Sequence, residues 1–137
     1  MRAALLLLLA GLLARAGDLV VVVNVASGVE RLSREEVVNL FLGRTRRLPS
    51  GLGALPVDQA GEAPGRARFY RDLVGKELPD INAYWARLLF SGQASPPHQA
   101  ASEAELLEFV RANRGAIGYV DRAKVDRRVR IVFEFTP

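Results

Sequence analysis

The chain has 137 residues, 50% of them hydrophobic and 25% charged, enough for one domain with a real core and too few for two. It has no cysteine, which excludes disulfides, thiolate zinc sites, cysteine nucleophiles and a lipid-modified N-terminal cysteine; one histidine, His98, cannot supply a multi-histidine metal site. The net charge of +4 is small and scattered, with Arg2 and Arg15 in the leader, so the dense basic stripe of a nucleic-acid binder is missing.

Met1-Arg2, the apolar run Ala3 to Leu13 and the small-x-small site Ala14-Arg15-Ala16 predict a secretory signal peptide over 1–16 and a periplasmic product of one domain, 17–137. The run falls short of the ~20 residues that span a bilayer, and Arg15 and Asp18 interrupt any extension of it.

Leu19 to Val25 is β-branched on both faces and predicts a central strand covered on each side. Ser33-Arg34-Glu35-Glu36 is a capping box opening a helix over 33–43, with Val37, Leu40 and Phe41 inward and Gly43 as its stop. After a polar turn, 54–58 predicts a short strand in which Pro56 favours an edge position. Pro64 opens a helix to Val74 whose apolar face holds Phe69, Tyr70 and Leu73, with Arg66 near its centre. Pro79 opens another, with Ile81, Tyr84, Trp85, Leu88 and Leu89 inward and Gly92 ending it. Residues 93–101, with Pro96-Pro97, read as a loop. A second cap at Ser102 starts a helix through Leu106 and Val110, and strands follow at 116–120 and 129–135, the latter alternating Val129, Ile131, Phe133 and Phe135. Strands alternating with helices over long connections predict an α/β fold, a mainly parallel sheet with helices on both faces.

Leu40-Phe41-Leu42-Gly43-Arg44 and Gly115-Ala116-Ile117-Gly118-Tyr119-Val120 resemble two motifs of phosphate-type periplasmic substrate-binding proteins. Arg66-Ala67-Arg68-Phe69-Tyr70 and Tyr84 to Gly92 resemble the short members of that superfamily, over about residues 19–133. The resemblance implies a single lobe of a type II periplasmic-binding-protein-like fold and non-covalent binding of phosphate or another oxyanion. It also implies a membrane permease as partner, as in an ABC transporter; no cofactor, metal or catalysis is expected. The family's phosphate-binding hydroxyls are replaced here by Gln59-Ala60-Gly61-Glu62-Ala63-Pro64-Gly65-Arg66, where Glu62 opposes an anion and Pro64 donates no N–H. An interaction module serving a sensor, porin or transport complex, with the pocket lost, is the alternative.

The candidate ligand residues are therefore Gln59, Gly61, Gly65 and Arg66. The Arg66 guanidinium needs a partner, which is a bound anion or an internal carboxylate, Glu62 or Asp58. Arg44, Arg46 and Arg47 either compensate the helix dipole from solvent or contact an anion or a partner. Trp85 reads as core, His98 as surface.

Overall fold

A computed structural model describes residues 18–135 of the chain. The predicted signal peptide lies outside the described residues. The elements are β1 (Leu19–Asn24), α1 (Arg34–Phe41), β2 (Leu55–Gln59), α2 (Pro64–Val74), α3 (Leu78–Phe90), β3 (His98–Ala100), α4 (Glu103–Ala112), β4 (Ala116–Asp121), a 3-10 turn (Arg122–Lys124) and β5 (Val129–Glu134).

The strands form one sheet in the order β3-β2-β4-β1-β5. β2 runs parallel to β3 and β4, whereas β1 is antiparallel to both of its neighbours, β4 and β5. The α/β class, the single sheet and the parallel β2 pairings follow the sequence reading; the antiparallel seat of β1 does not, because a strand's direction depends on which partner it finds in space. As its composition requires, β1 is buried on both faces. Val21 and Val23 pack with α1, α2 and α3, and Val20 and Val22 pack with α4.

Pro56 is not on an edge strand: β2 lies between β3 and β4. Leu55 N–H donates to Gly115 O, on the β4 side, so the donor that Pro56 lacks would point toward β3, and β3 begins only opposite Val57. The proline thus stands where no acceptor waits. β3 itself lies in the predicted loop. Its three residues His98-Gln99-Ala100 have no strand-forming pattern and are extended by pairing alone.

β5 departs from simple alternation. The register shifts between Val21 and Val22, which face Phe133 and Ile131, so Val132 is an extra residue. Val129 and Ile131 consequently join the α4 side, while Phe133 and Phe135 join the opposite cluster. On α3, Ile81 and Trp85 are buried as expected, but Leu89, in the last turn, is 58% exposed. Gly115 has a steric role. A Cβ there would lie 2.0 Å from Gly53 O, so β4 can meet the Leu48–Gly53 turn only without a side chain.

Candidate functional site

At the carboxyl ends of β2 and β3, the N-termini of α2 and α4 converge on a cleft of about 340 Å³. Ligands of open α/β sheets settle in this position, where strand ends diverge and helix dipoles present their positive poles. α2 starts after Ala63, with Pro64 in its first turn and no side-chain cap. Arg66 N–H donates to Ala63 O, and Pro64 has no N–H, so Gly65 supplies the first-turn amide. α4 is capped by Ser102, whose Oγ accepts from Glu105 N–H at 3.1 Å.

Of the predicted ligand residues, Gln59 and Gly65 line this cleft; Gly61 and Arg66 do not. Gln59 Nε2 donates to Tyr119 O at 3.3 Å. A Cβ on Gly65 would come within 2.5 Å of Gln59 Oε1, so this glycine makes room for the Gln59 amide.

Arg66 is only 4% exposed, and its hydrogen bonds stay within the chain. Nε donates to Asp58 Oδ2 at 3.2 Å, Nη1 to Gly61 O at 3.1 Å and Nη2 to Asn82 Oδ1 at 3.1 Å. Between the carboxylates left open by the sequence, the structure selects Asp58 over Glu62. Asp58, 1% exposed, accepts from four groups. These are Arg66 Nε, Tyr70 OH at 2.7 Å, Gln59 N–H at 2.8 Å and Tyr119 OH. A carboxylate with both oxygens satisfied tolerates burial, and it fixes the end of β2 to α2 and β4. Burial and then the adjacent Asp58 charge push the Tyr70 and Tyr119 phenols well above the usual tyrosine range. Both rings belong to the aromatic core, where Phe69 stacks on Tyr119 with centroids 3.8 Å apart.

The cleft also contains residues that sequence reasoning missed: Arg68, Ser102, Glu103 and Asp121. Glu103 accepts from Asp121 N–H at 2.7 Å, tying α4 to the end of β4. Arg68, half exposed, lies 3.7 Å from Asp72. The Ser102 cap was legible, but its place beside α2 depends on the parallel pairing of β3, which has no sequence signature. The wall is therefore of mixed charge: amides, Ser102 and Arg68 favour an anion, Glu103 and Asp121 oppose one. Among the described residues no group of acidic and histidine side chains is placed to hold a metal.

Arg44, Arg46 and Arg47 lie away from this cleft, in the exposed segment after α1. Arg46 Nη2 donates to Gln93 O at 2.8 Å, and Arg47 Nη1 closes its own turn on Gly51 O at 2.9 Å.

The fold is shared with part of several solved structures. Similar solved structures include an ABC-type phosphate transport receptor from Vibrio cholerae, 18% identical with TM-score 0.68 over 87% of this chain and 48% of that one. Another is a phosphate ABC transporter substrate-binding protein with bound phosphate from Clostridium perfringens, described as putative, at 15% identity and TM-score 0.67, covering 88% of this chain and 47% of that one. A possible phosphate binding protein from Planctomyces limnophilus aligns at 13% identity and TM-score 0.60, over 84% and 40%. The chain spans about half the length of these proteins or less. Neither a family model nor a curated protein matches the sequence.

Proposed function

We propose that the protein binds a small oxyanion, phosphate above all, non-covalently at the cleft between the N-termini of α2 and α4, as one lobe of a periplasmic substrate-binding protein serving a membrane permease. The observation that carries this reading is the convergence of two helix N-termini on the carboxyl ends of β2 and β3 in a fold shared with a phosphate-bound structure. No catalysis is invoked, because binding needs only amides, the Ser102 hydroxyl and Arg68. Arg66 acts at one remove, holding the α2 start through Asp58. Export by the 1–16 leader would bring the domain to the periplasm.

A cleft open to water, with Glu103 and Asp121 in its wall, binds weakly: phosphate at roughly millimolar affinity, about −4 kcal/mol. Calorimetric titration with phosphate, beside Arg68→Ala and Glu103→Gln, tests this. Arg68→Ala should weaken binding and Glu103→Gln strengthen it; micromolar binding by a monomer, or indifference to both variants, would overturn the assignment. The intramolecular engagement of Arg66 favours a second reading, an interaction module whose cleft is vestigial. Absence of binding to phosphate and other oxyanions at every protein concentration would select it.

A further inference from the structure

At the other end of the sheet a larger concavity, about 520 Å³, opens between the C-terminal ends of α1 and α3, the first residues of β2 and the segment before β3. Its volume lies within the roughly 300–1,000 Å³ typical of small-molecule sites. Leu40, Leu55, Leu89, Pro96, Phe109 and Trp85 give it apolar walls. Leu55 and Leu89 are among the few large hydrophobic side chains that the described residues leave exposed.

Its polar equipment is one-sided. No acidic residue lines it, while Arg46 and His98 do, with the His98 ring stacked on Phe109 at 4.8 Å. Arg46 spends one N–H on Gln93 O, and its exposed guanidinium keeps the others. Trp85, 6% exposed, contributes an indole ring to the wall. The negative poles of α1 and α3 are largely answered locally: Leu42 O accepts from Tyr84 OH, Leu88 O from Gln93 N–H and Leu89 O from Gly92 N–H.

We propose that this concavity is a second binding site, for a small organic acid with an apolar body, an aryl- or alkyl-carboxylate. Its apolar body lies on the leucine and Trp85 walls, and its carboxylate pairs with the free N–H groups of Arg46. Inorganic phosphate does not suit it, since apolar walls would strip its hydration without return. The site is independent of the oxyanion cleft.

Trp85 is the only tryptophan, so one indole N–H resonance and one emission band report the site directly. With 4-phenylbutyrate as probe, the indole resonance should move saturably, and 4-phenylbutanol should bind about ten-fold more weakly for want of the charge-assisted bond. Arg46→Ala should bring the acid down to the alcohol's affinity, Leu89→Gln should weaken both, and phosphate should leave the resonance in place. Both substitutions are at exposed positions and spare the core. The proposal falls if the resonance does not move at millimolar acid, if acid and alcohol bind alike, or if Arg46→Ala changes nothing. Loss of phosphate binding at the other end of the sheet would leave these readouts untouched.

Discussion

Asp58 is where the end of β2, α2 and β4 are joined. Removing its carboxylate leaves Arg66 buried with no counter-charge, so Asp58→Ala should cost about 3–5 kcal/mol, whereas Tyr70→Phe, which deletes one bond to a charged acceptor, should cost about 1.5–3 kcal/mol. Urea denaturation of the two variants checks the order, and equal costs would contradict it. The phenols have a further consequence at high pH. Their folded pKa values lie above the unfolded value near 10, so above that pH the unfolded chain releases protons that the native state retains. Their stabilising contribution is full below pH ~10 and is lost as pH rises toward the folded values, by up to about 1.4 kcal/mol per pH unit for each tyrosine. Denaturant midpoints between pH 9 and 11 should fall less steeply in Tyr70→Phe than in the parent; parallel slopes would remove the phenol from the account.

Among the elements, α1 shows how a local signal and a packing need agree. Its capping box is formed in full, with Ser33 Oγ accepting from Glu36 N–H and Glu36 Oε1 from Ser33 N–H, and Phe41 at its far end meets Phe69 edge-on at 4.9 Å. Phe41→Ala should therefore cost about 3–5 kcal/mol, the toll of a large cavity under a buried ring, while Leu89→Ala on the exposed side of α3 should stay within about 0.5 kcal/mol. Thermal melts of both variants test the contrast, and a costly Leu89→Ala would show that the second concavity is closed in solution. Helix α3 itself is readable from Pro79 and its apolar spacing, yet the same spacing places its last turn inward, where Leu89 is exposed. Periodicity finds the apolar face of a helix but cannot tell where the surface that covers it ends.

At the scale of the molecule, the two clusters on opposite faces of the sheet share β1, so the described residues should unfold in one cooperative transition. If the 1–16 leader is removed, intact-mass analysis of the exported protein should give Gly17 as first residue; full-length chain recovered from membranes would refute that. Among the described residues no helix is long and apolar enough to cross a membrane.

Sequence alone determined the α/β class, the capped helices and the doubly buried β1, because each rests on short-range chemistry: a hydroxyl three residues from an amide, apolar side chains at a helical or strand period. It also marked Arg66 as a cation in need of a partner. Tertiary structure decided the rest. It selected Asp58 for Arg66 across eight residues, made a strand of His98–Ala100, placed Pro56 inside the sheet and reversed the facing of β5 at Val132. It alone brought Ser102 and Glu103 beside Gly65, and Arg46 beside Trp85. These are contacts between segments far apart in the chain, set by which strand pairs with which, and strand pairing is a competition among partners in space that no local pattern encodes.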